Sequence, residues 1–334
     1  MAKAPLPFPK RRTAAIIGGD SLLARELRDL LAADKTMRVQ LISAAAENAA
    51  VLVPEEDDAS VLLPLTEESL EGITVAFLAG SAASSRRTLK LKNAPAVIDL
   101  TGALAEEAKA QLRAPSAEPQ ARQAAASRMS VVAHPAAIAL TMMLTRLAAA
   151  GKITASVAHV FEPASERGQR GIDELRKQTV SILSFKKLDQ TVFDTQLAFN
   201  LLARYGEEAV EPLEGVEERI VRDTAALLAA WAAQPAPSIR LVQAPVFHGH
   251  SISLWVEFEA AVDAKQLKRV LTAAGIDVLP DEPPSNANIA GQSGLSVGAI
   301  SADRGRPNAY WLWMVADNFR LAAENAIAVA QEIA

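Results

Sequence analysis

The sequence predicts an α/β protein with a Rossmann-like, doubly wound parallel sheet and a second, α+β domain. Two patterns indicate this fold class. The first 135 residues alternate short apolar runs with helical stretches, which is typical of βαβ units with parallel strands. The second half contains longer runs in which apolar and polar residues alternate, as they do in half-buried antiparallel strands. A chain of 334 residues also exceeds the roughly 250 residues that one core usually supports.

We expect three parts along the chain. Residues 1–12 are rich in proline and basic residues and lack an apolar run, which predicts a disordered tail and not a signal peptide. Residues 13–135 form the predicted Rossmann-like nucleotide-binding domain, which the C-terminal helix 318–334 completes. Residues 136–317 form the α+β dimerisation or substrate domain.

Individual elements follow from local patterns. The apolar run Thr13–Gly18 ends in glycine and precedes a leucine-striped helix, Ser21–Ala33, that Ser21 can cap. Ala105–Ser127 is alanine-rich, and we expect it to be helical in part. The other strands predicted in the first domain are Arg38–Ile42, Val75–Ala79, Ala96–Asp99 and Ser130–Ala133. In the second half we predict strands at Ile153–Phe161, Ser251–Phe258 and Tyr310–Val315, helices at Gln169–Leu183, Gly215–Ala233 and Asn318–Ile333, and a loop at Leu279–Pro284.

Composition excludes several classes of function. The chain has no cysteine, so disulfides, thiolate metal sites and cysteine nucleophiles are impossible. Its net charge of −5 argues against a nucleic-acid or anionic-membrane surface, which needs a basic patch. Apolar runs such as Ala136–Leu144 and Ala225–Ala233 are shorter than the roughly 20 residues of a membrane span. We expect a cytoplasmic protein.

The turn after the first strand is a candidate dinucleotide-binding loop. In such loops glycines let the backbone approach the pyrophosphate, and a helix N-terminus supplies partial positive charge. Here the candidate cofactor-binding residues are Gly18, Asp20, Ser21, Leu22 and Leu23. Only the first glycine of the usual pattern survives, Ser21 would crowd the phosphates, and Asp20 adds a negative charge. A turn kept for folding is the alternative, and we favour it.

Four stretches resemble aspartate-semialdehyde dehydrogenases, in that family's order and spacing. They are Asp173–Thr179 (DELRKQT), Leu197–Asn200 (LAFN), Pro245–Ser251 (PVFHGHS) and Leu312–Arg320 (LWMVADNFR). The resemblance implies a second domain like that of glyceraldehyde-3-phosphate dehydrogenase. It also implies NADP as cofactor and a dimer formed through the sheet and helices of that domain.

The resemblance further implies that the family's nucleophile is missing. The family reduces aspartyl phosphate through a thioester on the cysteine of an Asn-Pro-x-Cys-Ser motif. The equivalent stretch is His134-Pro135-Ala136-Ala137-Ile138, and Ala137 stands at the cysteine's position. A methyl group cannot attack a carbonyl or carry an acyl group.

Other positions of the family pattern have changed too. Glu162 replaces a glutamine, and Gln243 replaces an arginine that would clamp a carboxylate. The stretch Ser43–Glu47, where the family reads the 2′-phosphate of NADP, has no cation. Arg219 stands about where the family has a lysine.

Two functional positions of the family remain. His250 matches its general acid/base, and Asn318 lies near where the nicotinamide would sit. A structural role is the alternative for each, Asn318 as the cap of the last helix. A metal pair of His248 and His250 on one strand face is conceivable, but we expect no metal site because no carboxylate partner is evident.

The sequence therefore predicts a catalytically inactive relative of NADP-dependent aspartate-semialdehyde dehydrogenase, retained as a dimerising, interacting or ligand-binding protein. We expect no cofactor, or NADP if any, and a homodimer or a heterodimer with an active paralogue. The alternative is an oxidoreductase-like enzyme with changed, non-cysteine chemistry, in which His250, Glu162 or Glu166 acts as acid or base.

Overall fold

The computed structural model describes residues 12–33, 37–45, 51–54, 59–119, 127–231 and 235–333. The chain packs into two compact units. The first contains Met1–Gln111, Ala126–Val131 and Ile333–Ala334, and the second contains Leu112–Ala125 and Val132–Glu332. The predicted domain boundaries, including the assignment of the last helix, stay predictions. Residues 1–11 of the predicted tail lie outside the described residues.

The first unit is built on a parallel sheet, as the alternation of strands and helices predicted. Its elements are β1 (Arg12–Ile17), α1 (Leu22–Ala32), β2 (Met37–Ile42), β3 (Val51–Pro54), β4 (Ala59–Leu62), β5 (Val75–Leu78), α2 (Ala82–Leu89), β6 (Ala96–Asp99), β7 (Gln111–Arg113) and β8 (Met129–Val132). The sheet order is β2-β1-β5-β6-β8-β7, and β3 and β4 form a separate antiparallel pair. Strands β1, β2, β5, β6 and β8 are paired in parallel, which confirms the α/β class.

Local patterns account for most of these elements. The predicted α1 is confirmed: Ser21 accepts the amide of Ala24 at 3.0 Å as its N-cap, while Leu27 and Leu31 are buried. In the described part of Ala105–Ser127 the expected helix is absent, because residues 105–119 form turns and the strand β7. Residues 120–126 lie outside the described residues, so the expectation stays a prediction there. Alanine content alone is a weak signal, since residues 105–119 have no apolar stripe to hold a helix against the sheet.

The second unit carries a mixed six-stranded sheet. Its elements are α3 (Pro135–Leu147), β9 (Ile153–Glu162), α4 (Gly168–Leu183), α5 (Leu213–Leu228), β10 (Ser238–Gln243), β11 (His250–Phe258), α6 (Ala264–Ala273), β12 (Asp277–Val278), α7 (Asn286–Ile289), β13 (Ser296–Ala302), β14 (Ala309–Ala316) and α8 (Asn318–Glu332). The sheet order is β10-β9-β11-β14-β13-β12. The central strand β11 pairs antiparallel with both β9 and β14, as the alternating pattern predicted. Among the described helices, none has the length and hydropathy needed to cross a bilayer.

One face of this second sheet is only half covered. Buried residues alternate with half-exposed ones along β9, β11 and β14, and the half-exposed set includes Phe161, Trp255, Trp311 and Trp313. The indole N–H groups of Trp255 and Trp311 both donate to Asp303 at 2.9 Å. Phe161 and Trp313 have ring centroids 5.9 Å apart. We call this aromatic surface the open sheet face.

A buried ion cluster anchors the segment after β7 within the second unit. Arg113 and Glu118 have fully buried side chains and pair at 3.1 Å, and Arg113 also contacts Glu332 of α8 at 2.6 Å. Glu118 additionally accepts the backbone amide of Ala114 at 2.6 Å. Because these charges are out of water, each depends on its partners.

The substitution Glu118→Gln should destabilise the second unit by about 3–5 kcal/mol, because it leaves the Arg113 charge buried with one partner fewer. The midpoint of urea unfolding, followed by tryptophan fluorescence, measures this change. Glu259→Gln is the matched control. It breaks an ion pair in which the side chain of Glu259 is 59% exposed and that of Lys152 is 63% exposed, so its effect should stay below about 1 kcal/mol. Equal losses in the two variants would contradict this account.

Candidate functional site

The N-terminus of α3 holds Ala137, the residue that the resemblance places at the position of the family's nucleophile. Pro135 opens the helix with a fixed φ that suits the first turn. His134 precedes it, and its Nδ1 accepts the amide of Ala136 at 3.2 Å while its own amide donates to Asp223 at 3.0 Å. Ala137 follows as a fully buried residue. Its side chain is a methyl group, and residues 135–138 offer no hydroxyl or thiol.

The sheet brings two further candidate residues to this point. Glu162 ends β9 and His250 begins β11, and the two strands are antiparallel neighbours. The ring centroids of His134 and His250 are 5.5 Å apart. One potential ligand atom from each of His134, Glu162 and His250 lies within 4.8 Å of the others, and all three residues are buried. We call these residues the His–Glu–His cluster.

Glu166 lies at the edge of the cluster. It belongs to a 3-10 turn at Ala164–Arg167. One carboxylate oxygen is 3.8 Å from His134 Nε2 and the other is 3.8 Å from His250 Nε2. Asn318 donates to the same carboxylate at 2.7 Å, so its side chain is held towards both imidazoles.

The guanidinium of Arg167 is held by acidic partners within the protein. It donates to Glu162 at 3.0 Å and to Glu211 at 2.9 Å, and it lies 5.5 Å from the centroid of the Tyr205 ring. The hydroxyl of Tyr205 donates to Gln243 Oε1 at 2.6 Å, and Gln243 Nε2 donates to the carbonyl of Glu162 at 2.8 Å. The position where the resemblance places a carboxylate clamp is therefore part of a closed internal network.

Burial governs the charges of the cluster. It raises the pKa of Glu162 to about 8, although Arg167 opposes this shift. Burial also lowers the pKa of His134 well below its usual value, with the charges of Arg219 and His250 adding to the effect. The pKa of His250 is lowered by burial as well, while Glu166 opposes the change. Both imidazoles are thus neutral near pH 7.

A chain of polar contacts beside the cluster was not predicted from the sequence. Ser165 Oγ lies 3.3 Å from His248 Nδ1, and His248 Nε2 lies 2.9 Å from Asp317 Oδ1. These are the residue types of a Ser-His-Asp triad. However, Ser165 is only 1% exposed, and Asn318 Nδ2 lies within hydrogen-bonding distance of its Oγ at 3.2 Å. A substrate carbonyl cannot approach a hydroxyl that is covered in this way, so we interpret the chain as structural support.

Two predictions for this region are wrong. His248 and His250 do not share a strand face, because β11 begins only at His250 and His248 turns to Asp317. Asn318 is not the cap of the last helix, because Asp317 accepts the amide of Arg320 at 2.9 Å in that role. The Asn318 side chain instead accepts the amide of Gly249 at 3.1 Å. The carboxylate that seemed missing beside His250 is Glu162, which is distant in the sequence.

The candidate nucleotide loop in the first unit is occupied by its own hydrogen bonds. The amides of Gly18 and Gly19 both donate to the carbonyl of Ile42, at 2.8 and 3.1 Å. A Cβ on Gly18 would lie 2.3 Å from Gly80 Cα, so strand packing explains this glycine. Ser21 caps α1, whose first turn contains Leu22 and Leu23, and the nearby Asp20 is exposed. The amides of Gly18 and Gly19 are thus engaged, and Asp20 adds a negative charge that disfavours a pyrophosphate.

A cation that the sequence did not reveal lies near the end of β2. The guanidinium of Arg87, in α2, donates to the carbonyls of Ala44 and Ala45 at 3.1 and 2.6 Å. Ser43 Oγ accepts the amide of Ala45 at 3.1 Å. Residues 43–47 themselves contain no lysine or arginine. Residues 46 and 47 lie outside the described residues.

Comparisons with known proteins agree with the resemblance seen in the sequence. The model of the semialdehyde dehydrogenase dimerisation domain matches residues 144–321. An aspartate-semialdehyde dehydrogenase from Rickettsia bellii is 27% identical over 97% of this chain and 98% of its own length. A USG-1 protein homolog from Pseudomonas aeruginosa is 32% identical over 78% of each chain. The structure of a probable aspartate-semialdehyde dehydrogenase from Pseudomonas aeruginosa superposes with a TM-score of 0.83, at 28% identity, over 96% of this chain and 97% of that one.

A fluorophosphonate probe, which labels activated serines, should leave the folded protein unlabelled because Ser165 is buried. Intact-mass spectrometry measures the added mass. Ser165→Ala is the control that assigns any reaction to this residue. Stoichiometric labelling of the natural protein that disappears in Ser165→Ala would show a reactive serine and contradict the structural interpretation.

Proposed function

This chain belongs to the semialdehyde dehydrogenase family, and from that premise we propose that it has lost the family's cysteine-dependent reaction. In this proposal it serves as a dimeric protein that binds a partner or a ligand. The observation that carries the proposal is the methyl group of Ala137 at the start of α3, three residues after His134, whose ring lies 5.5 Å from that of His250. An acyl group cannot be transferred through a thioester where no sulfur is present.

A second support for the proposal is that the cations which could bind a substrate anion are either replaced or already paired within the protein. A guanidinium recognises a carboxylate or phosphate through paired hydrogen bonds. Gln243 offers no such charge, and it is fixed between Tyr205 and the backbone of Glu162. Arg167 is already engaged by Glu162 and Glu211. Binding an anionic substrate at these groups would require breaking internal ion pairs.

The candidate cofactor loop supports the same conclusion. The amides of Gly18 and Gly19 are engaged, and Asp20 would repel a phosphate. We therefore propose that NADP is not a working cofactor of this protein. Arg87 favours a 2′-phosphate near the end of β2, but it is directed to backbone carbonyls. The cytoplasmic location predicted from the sequence remains part of the proposal.

A changed, non-cysteine chemistry is the second candidate. It is favoured by one observation: the buried side chains of Glu162 and His250 each bring a polar atom within 4.8 Å of the other. Burial raises the pKa of Glu162 to about 8, which suits a group that exchanges protons near neutral pH. His250 lies beside it with neither ring nitrogen bonded within the described residues. Turnover of a substrate that survives in Ala137 variants and is lost in Glu162→Gln would favour this candidate over an inactive protein.

The retained scaffold supports the dimer. The matched dimerisation-domain region, residues 144–321, contains every strand of the second sheet. The open sheet face displays Phe161, Trp255, Trp311 and Trp313 as half-exposed aromatic residues, and such clusters are enriched at protein interfaces. We propose that a second copy of this chain covers this face. A heterodimer with an active paralogue would use the same surface.

Restoring the sulfur alone should not restore the family reaction. The Ala137→Cys variant, assayed with aspartate semialdehyde, phosphate and NADP by NADPH absorbance, should show a kcat/KM at least about 10⁴-fold below that of a genuine family enzyme, because clamp and cofactor groups are missing too. Ala136→Cys is the matched control with a thiol one residue away. Since the natural chain has no cysteine, thiol titration after unfolding counts the introduced group in each variant.

Substantial turnover by Ala137→Cys, with none by Ala136→Cys, would show that the rest of the site is intact and would contradict the proposed loss of the clamp and cofactor groups. A loss of the folded state is recognised separately, from the melting temperature of each variant.

The open sheet face can be tested by adding a charge to it. The natural protein should sediment at about twice its 35.4 kDa chain mass, whereas Trp313→Glu should sediment as a monomer at micromolar concentration because a carboxylate is costly in an apolar interface. Val221→Glu, at a 42% exposed apolar position of α5, is the control and should remain dimeric. A dimeric Trp313→Glu, or a monomeric natural protein, would contradict this assignment.

A further inference from the structure

We propose that the His–Glu–His cluster is a binding site for a divalent transition-metal ion such as Zn²⁺, with Glu166 as the fourth ligand. The inference goes beyond the proposed function and does not depend on it, because it concerns what the pocket binds and not whether the protein turns over a substrate.

The spacing of the ligand atoms fits an ion of this size. In a tetrahedral zinc site with bonds near 2.1 Å, neighbouring ligand atoms are about 3.4 Å apart. The carboxylate oxygens of Glu166 lie 3.8 Å from His134 Nε2 and 3.8 Å from His250 Nε2. The ligand atoms of His134, Glu162 and His250 all lie within 4.8 Å of one another. Closing these gaps needs side-chain movements of an ångström or less.

The cluster also contains buried polar atoms that have no partner. Among the described residues, Glu162 Oε2 and both ring nitrogens of His250 are buried without a hydrogen bond. Glu162 is 0% exposed and His250 is 1% exposed. Such atoms are costly to bury, and one potential ligand atom of each residue lies within 4.8 Å of the other and of His134. A metal ion satisfies a carboxylate oxygen and an imidazole nitrogen together.

The charges balance for a dication. Two carboxylates, Glu162 and Glu166, would neutralise the charge of the ion, and neutral imidazoles are the form that coordinates metals. Arg167 stands next to Glu162 at 3.0 Å, but it binds one oxygen of that carboxylate and also pairs with Glu211. The second oxygen of Glu162 is therefore available to an ion.

The donor set determines the class of metal. Two imidazoles and two carboxylates suit Zn²⁺, Co²⁺ and Ni²⁺, whereas Mg²⁺ and Ca²⁺ prefer oxygen ligands only. Two of these donors stand where the resembled motif has amide side chains, since His134 takes the place of asparagine and Glu162 that of glutamine. Both replacements exchange a weak ligand for a strong one on either side of His250.

His134 must change its tautomer before it can coordinate the ion. Its Nδ1 accepts the amide of Ala136 at 3.2 Å, so in this state the neutral ring carries its proton on Nε2. Coordination through Nε2 moves that proton to Nδ1 and gives up the contact with Ala136. The contact is a long hydrogen bond at the first turn of α3, where backbone amides lack intrahelical partners in any case.

The test uses Co²⁺ as a spectroscopic probe and Zn²⁺ as its competitor, on untagged protein freed of metal by a chelator. Co²⁺ should bind in a 1:1 ratio and give intense visible bands of a tetrahedral site, and Zn²⁺ should abolish them. His250→Gln and Glu162→Gln should each weaken Co²⁺ binding at least about 100-fold, because even loss of supporting groups around a metal costs about 10–100-fold. Zn²⁺ should also raise the melting temperature of the natural protein but not that of these two variants.

His159→Gln is the matched control, because His159 lies on the other, half-exposed side of β9, and it should bind Co²⁺ as the natural protein does. Two cluster variants are used so that the test remains valid if one of them fails to fold. Weak binding with octahedral spectra, or equal affinity in the natural protein and in both cluster variants, would overturn the metal site.

Discussion

The largely buried guanidinium of Arg167 must be compensated by acidic partners, and Glu162 at 3.0 Å and Glu211 at 2.9 Å supply the contacts. These contacts organise the pocket around them. Arg167 is drawn inward across Tyr205, Tyr205 fixes Gln243, and Glu211 holds the outer side of the guanidinium. Groups that would have to point at a substrate in a dehydrogenase are thus directed at one another.

The scaffold and the site obey different physical requirements, which explains how one is retained without the other. The sheet of the second unit needs only apolar residues at alternate positions, and β11 meets this with Ile252, Leu254, Val256 and Phe258 all buried. A thioester site needs a particular atom at a particular place. In the proposed function, the methyl group of Ala137 fits the buried start of α3 but cannot carry out the thioester chemistry.

Most of the fold could be predicted from the sequence because its signals are local. Ser21 caps α1 and the alternation in β11 marks its buried face, and both can be read from neighbouring residues. The site was predicted less well because its contacts are long-range: the partnership of His134 and Glu162 with His250 joins a helix end to two strand ends. The missed cation Arg87 shows the same limit, since it comes from α2 and not from the stretch beside β2.

The most direct test of the central claim is a dehydrogenase assay of the natural protein with aspartate semialdehyde, inorganic phosphate and NADP, run beside a genuine family enzyme at equal concentration. With a methyl group at position 137, we expect NADPH to form no faster than in a reaction without protein. NADPH formation at a rate comparable to that of the family enzyme would contradict the account, because it would show that the reaction proceeds without the sulfur.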